Sequence, residues 1–208
     1  MEGLINIFSL IVLLFSIIIH EIAHGSAALA LGDATAKDSG RLSLNPLNHL
    51  DPVGSILLPL FLFTIGAPLF GWARPVPINP YNFRDQKYGS LKVSLAGPAA
   101  NMAVALVFGL ILRFFLPLIP YGLILAFSSI VFLNILLAVF NLLPIPPLDG
   151  SHILFTFLPQ SMRKVKIFLT RYGFFILIFL IFFFSGFFDF LRYIVYRIFA
   201  IIVGESFF

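Results

Sequence analysis

The chain has 208 residues, 60% of them hydrophobic and only 11% charged, with a formal net charge of +4 and a mean hydropathy of +1.06. Soluble domains carry about a quarter charged residues, so the composition excludes a water-soluble fold and points to an integral membrane protein, with 1–208 reading as one domain. Cysteine is absent, which removes disulfides, thiolate metal sites and a cysteine nucleophile. The excess basic charge falls in loops, where it sets membrane orientation and makes no case for a nucleic-acid partner.

In chain order, the first apolar run is Leu4–Leu31. It is preceded by Met1, Glu2 and Gly3 with no basic n-region, and it runs on into charged groups instead of a cleavage site, so it reads as a retained helix. Within it stands His20-Glu21-Ile22-Ala23-His24, an H-E-x-x-H pattern. Residues four apart share a helical face, so both imidazoles can reach one Zn²⁺. Glu21, beside the first of them, is placed to act as general base toward a metal-bound water. Ionisable groups inside an apolar helix are costly and functional by default, and two of the chain's four histidines are here.

The next run, Gly54–Trp72, is broken by Pro59 and Pro68, with Gly66 and Gly71 beside the second break. Such residues mark re-entrant segments as well as kinked spans. Val93–Leu116, Tyr121–Leu143 and Ile167–Phe184 approach the roughly 20 apolar residues of a crossing helix. Phe187–Val203 carries Asp189, Arg192, Tyr193, Tyr196 and Arg197 on one helical face. It either spans with snorkelling arginines or lies along the interface. The expected fold is an all-α polytopic membrane protein of about five to six hydrophobic helices. Its core covers about 4–155, followed by C-terminal membrane segments over about 160–208.

Two histidines do not complete a catalytic zinc site, for which three protein ligands are usual and His₂-carboxylate is a known set. The distant acids are Asp33, Asp38, Asp51, Asp85, Asp149, Asp189 and Glu205. Asp149 stands out in "NLLPIPPLDGSH" (Asn141–His152). There Pro144, Pro146 and Pro147 forbid a continuing helix and predict an extended path, and Gly150 allows a turn. An unwound stretch after an apolar helix is where a third ligand can be presented.

H-E-x-x-H in a hydrophobic helix, followed far downstream by Asn141, Pro144, Pro146, Leu148, Asp149 and Gly150 as N-x-x-P-x-P-x-L-D-G, resembles the site-2 protease family of intramembrane zinc metalloproteases. "GRLSLNPLNHLDPVGS" (Gly40–Ser55), "GWARPVPINP" (Gly71–Pro80) and "LAGPAAN" (Leu95–Asn101) also resemble segments of compact prokaryotic members that lack a PDZ module. The resemblance implies one Zn²⁺ per chain held by His20, His24 and Asp149, with Glu21 as catalytic base and Asn141 as a polar group near the scissile bond. It implies a metalloendopeptidase in a prokaryotic cell membrane that cleaves transmembrane proteins or peptides within or near their membrane segments.

Geometry constrains this reading. His20 lies about 24 Å along its helix from Leu4 at 1.5 Å per residue, near the C-terminal end of that span, and Asp149 follows the C-terminal end of Tyr121–Leu143. The two helices must therefore run parallel, so only one of Gly54–Trp72 and Val93–Leu116 crosses, and the broken run is expected to be the re-entrant loop. Loops 32–92 and 144–166 then share a side rich in Lys37, Arg41, Arg74, Arg84, Lys87, Lys92, Arg163, Lys164 and Lys166, against Arg113 opposite. The positive-inside rule makes that side cytoplasmic, with the N-terminus outside and the site toward the cytosol.

Lesser signals read structurally. His49 and Asp51 are alternative ligands, better placed at the mouth of the broken run. Asn134 suits an interhelical hydrogen bond, and Ser94, Ala96, Gly97, Ala99, Ala100 and Asn101 suit close helix packing. His152 is either a surface histidine or a neighbour of the metal, and the 27 phenylalanines are mostly lipid-facing. The stretch Gly71–Pro80 is a candidate edge strand for an unwound substrate. Two other classes compete: a non-proteolytic membrane zinc-binding protein or metal transporter, which needs no base such as Glu21, and a di-iron bundle, which needs several E-x-x-H pairs. The only glutamates are Glu2, Glu21 and Glu205.

Overall fold

The computed structural model describes residues 2–57, 60, 61, 64 and 74–204. Among these the structure is all-helical, with no strand. Long runs of Leu, Ile, Val, Ala and Phe build α1 (Glu2–Ala30), α3 (Gly89–Phe115) and α4 (Tyr121–Asn141). Between the first two lie the short α2 (Thr35–Asp38) and 3₁₀ turns at Pro46–His49 and Pro80–Asn82. After α4 come a short α5 (Asp149–Phe157), then α6 (Arg163–Phe183) and α7 (Ser185–Val203). Among the described residues, four stretches are long and apolar enough to cross a membrane: Ile7–Ala30, Gly89–Leu118, Tyr121–Asn141 and Gln160–Phe183. The polytopic all-α architecture expected from the sequence is the one observed.

α1, α3 and α4 form the central bundle, and polar side chains fix their directions. On α1, Ser16 meets Asn134 of α4, while Ser16 and His20 meet Asn101 of α3 and His24 meets Val93 of α3. Rising numbers on α1 thus match falling numbers on α3. On α4, Ser16 meets Asn134, and Glu21 and His24 line one cavity with Asn141, so α1 and α4 run parallel, as a shared site requires. Both flanks of the broken run return to one end of the bundle: the Arg74 N–H donates to the His49 carbonyl at 2.9 Å, and the Arg84 N–H to Leu31 at 2.8 Å. The re-entrant loop expected within Gly54–Trp72 falls largely outside the described residues.

At the opposite end the bundle is apolar. Ala105 and Leu112 of α3, Val131 and Ile135 of α4, and Val195, Phe199, Ile202 and Val203 of α7 form one buried cluster. α7 has the apolar stripe Phe187, Leu191, Val195, Phe199 and Ile202 at steps of three and four, all buried, which seats one face on the bundle. Its exposed face holds Asp189 and Arg192, paired at 2.6 Å. The helix runs toward the α3–α4 turn, where Arg113 donates to the Ile201 carbonyl at 2.8 Å. The buried face packs this segment against α3 and α4.

Pro144, Pro146 and Pro147 do end α4, but the path beyond is a succession of turns, not the extended segment expected. Ile145 N–H donates to Leu143 and Leu148 N–H to Ile145. Asp149 is accordingly the first residue of α5. Gly150 has a helical backbone, not a left-handed one. Its necessity is steric, because a Cβ there would collide with the carbonyl of Leu142.

Candidate metal centre

His20 and His24 lie one turn apart on the inward face of α1, 6% and 7% exposed. Asp149 reaches them from α5, its Oδ2 at 3.1 Å from His20 Nε2 and 3.2 Å from His24 Nε2. The two Nε2 atoms are 3.0 Å apart. Among the described residues these three form the one His/Cys/Asp/Glu group able to hold a metal ion.

Hydrogen bonds decide which ring nitrogen of each histidine carries the proton. The Val93 carbonyl can only accept, so His24 Nδ1, 2.7 Å away, is the protonated nitrogen. Asn101 donates its amide N–H₂ to the Ser16 carbonyl and to Asn134 Oδ1. That orientation turns Asn101 Oδ1 toward His20, whose Nδ1 donates to it at 2.7 Å. Asn134 is held in turn by donating to Ser16 Oγ and to the Ile130 carbonyl. In its neutral form each imidazole so oriented aims an Nε2 lone pair at the same point. Two lone pairs at that separation repel with nothing between them and are drawn together by a cation. Asp149 Oδ2 is buried with no hydrogen-bond partner, the third electron pair directed there. A tetrahedral zinc with bonds of about 2.0–2.1 Å has ligand–ligand edges of about 3.3 Å, close to the triangle observed. The donor set fits zinc.

Gly97 on α3 faces these atoms. A Cβ there would lie 2.5 Å from His24 Nε2 and 2.6 Å from His20 Nε2, so only glycine leaves both nitrogens clear. Pro98 beside it removes one helical hydrogen bond, and both residues are buried. Sequence reading placed Gly97 and Asn101 in a helix-packing stripe and did not connect them to the histidines. The available signal was an asparagine within a hydrophobic span, which calls for a partner. Asn134 does make the interhelical bond expected of it.

A cavity of about 400 Å³ opens beside the three residues, lined by Glu21, Asn141 and His152 among others. Glu21 Oε2 accepts the Val76 N–H at 2.7 Å. Asn141, also at the cavity, donates to the Leu137 carbonyl at 2.9 Å. His49 and Asp51 stand apart from this cluster: His49 hydrogen-bonds the Ser43 carbonyl at 2.7 Å, and Asp51 accepts the N–H groups of Val53 and Gly54. As an edge strand, Arg74–Asn79 is short of donors, since Pro75 and Pro77 have no N–H.

Residues 117–180 match the profile of "Peptidase family M50". Among curated proteins, the chain is 40% identical over 183 residues to "Putative zinc metalloprotease YwhC" of Bacillus subtilis, an alignment covering 85% of this chain and 80% of that protein. It is 32% identical over 183 residues to a protein of the same description, Rip2 of Mycolicibacterium smegmatis, covering 85% of this chain and 68% of Rip2. No solved structure matches the chain.

Proposed function

The chain belongs to peptidase family M50, the site-2 protease family, and from that premise we propose that it is an intramembrane zinc metalloendopeptidase. Its substrates are membrane proteins, cut within or near a transmembrane segment toward the cytosolic face. The observation that carries this reading is the convergence of His20 Nε2, His24 Nε2 and Asp149 Oδ2 beside Glu21. His20, His24 and Asp149 hold one Zn²⁺ per chain. Bound there, zinc supplies Lewis acidity, polarising a carbonyl and lowering the pKa of a bound water to about 7.

The chain's own residues do the rest. Glu21 takes the proton of the attacking water on its carboxylate and passes it to the leaving amine. Asn101 and the Val93 carbonyl keep both Nδ1 atoms protonated, so the ligand nitrogens stay available. Asn141 donates to or accepts from the peptide flanking the cut. Helical substrate hides its carbonyls in hydrogen bonds, so it must unwind to enter the cavity. The crowding of cations in loops 32–92 and 144–166 supports a cytosolic site and an outside N-terminus in a prokaryotic cell membrane.

The test pairs zinc content with cleavage of a panel of membrane-spanning peptides, for wild type and Glu21→Gln. Zinc in both with cleavage lost only in the variant is expected. Equal cleavage by Glu21→Gln would remove Glu21 from the mechanism, and zinc-loaded wild type that cleaves nothing would favour a non-proteolytic zinc protein.

A further inference from the structure

Two buried residues of opposite charge outside the metal cluster, Arg41 and Asp33, direct their hydrogen bonds at one stretch of backbone. Arg41 is 8% exposed, and its guanidinium donates to the carbonyls of Arg74, Pro75 and Asn48. Asp33 is fully buried and accepts the Asn79 N–H at 2.7 Å and the Asn82 side-chain amide at 2.8 Å. Together they pin both ends of Arg74–Asn79, a strap without regular secondary structure that passes over the metal cluster. Burying such charged groups is costly unless they are hydrogen-bonded, so a strap held this way has a fixed course.

Between Arg74 and Ile78 the strap reads Pro75-Val76-Pro77. Proline has no N–H, so Val76 carries the one main-chain donor there. That donor meets Glu21 Oε2 at 2.7 Å. The approach is close throughout: a Cβ on Gly25 of α1 would lie 2.9 Å from Val76 Cγ1. We propose that the main-chain N–H of Val76 is a positioning group for Glu21, holding one carboxylate oxygen so that the other faces the reacting water, with Arg41 and Asp33 as the anchors that place it. The inference rests on the reading of Glu21 as the base. A glutamate on one turn of helix has several rotamers, and a charge-assisted hydrogen bond from a fixed backbone selects one.

The test removes the N–H without removing the side chain, by replacing the residue 76 amide with an ester (the α-hydroxy analogue of valine). Val76→Pro is the encodable companion. The control is the same ester at Tyr81, whose N–H bonds Asn79 Oδ1, away from Glu21. Misplacing a catalytic group by about 1 Å costs on the order of 10²-fold in rate. The residue 76 ester and Val76→Pro are expected to lower kcat by about 10–100-fold, the range for one charge-assisted contact to a catalytic group, with KM and zinc content unchanged. The Tyr81 ester is expected to leave kcat unchanged. Unchanged kcat in both residue 76 variants overturns the proposal, and so does joint loss of zinc, KM and kcat, which marks a merely structural strap. Zinc-loaded wild type without cleavage overturns the protease reading, and this proposal with it.

Discussion

The two ends of the same three-helix bundle are built from different chemistry. At the site end the contacts between α1, α3 and α4 are polar: Ser16, His20, Asn101 and Asn134 are buried and bonded to one another. At the far end, with α7 added, the contacts are Ala105, Leu112, Val131, Ile135, Val195 and Phe199. Apolar packing tolerates small rotations of a helix, whereas a chain of directional hydrogen bonds ending on an imidazole does not. One end therefore holds the helices together and the other orients the imidazoles.

That division can be broken at named positions. Gly97→Ala should have the largest effect, since its methyl would occupy the space beside both Nε2 atoms, while alanine is the better helix former. Zinc binding and activity should vanish while far-ultraviolet circular dichroism stays helical. Zinc retained at wild-type affinity would mean that Gly97 does not face the ligands. Asn101→Leu should weaken zinc by about 10–100-fold, the usual cost of losing a partner behind a ligating histidine, measured by competition with a chelator. Ile135→Ala is the opposite probe. Removing this fully buried side chain should cost about 2–5 kcal/mol of stability in a denaturant titration and leave zinc affinity unchanged. If Ile135→Ala altered zinc affinity as much as Asn101→Leu, the division between the two ends would be false.

A smaller effect sharpens the site end further. Burial pushes the Asp33 carboxyl up, but hydrogen bonds from Thr35, Asn79 and Asn82 outweigh it and hold the group below the ordinary carboxylate range. A depressed value contributes stability that is complete above the unfolded-state pKa of about 3.9 and is lost as pH falls through the folded one. Asp33→Asn should flatten that acid branch of thermal stability and leave the neutral branch nearly parallel to wild type. An unchanged acid branch would remove Asp33 as an anchor of the strap.

Much of the site was legible in the residues themselves. His20, Glu21 and His24 announce themselves because charge is rare in an apolar helix, and Asp149 because three prolines isolate it. The parallel course of α1 and α4 followed from the requirement that His20, His24 and Asp149 reach one metal from the ends of two spans. What sequence could not supply depends on which faces of separate helices meet. Gly97 beside the ligand atoms and Asn101 behind His20 lie on α3, and nothing local aims that face at α1. Gly150 illustrates the same limit: a glycine suggests backbone freedom, yet its function here is to admit the Leu142 carbonyl. The strap was legible as a candidate edge strand but not as the partner of Glu21, 55 residues away in sequence.

The most direct measurement is zinc K-edge absorption spectroscopy on purified wild type and Asp149→Ala, with metal content determined in parallel. The account predicts wild-type zinc bound by two histidine nitrogens and one carboxylate oxygen at about 2.0–2.2 Å, with zinc lost or its oxygen shell altered in Asp149→Ala. Folded wild-type protein that binds no zinc, or zinc whose coordination lacks histidine nitrogen, would contradict it.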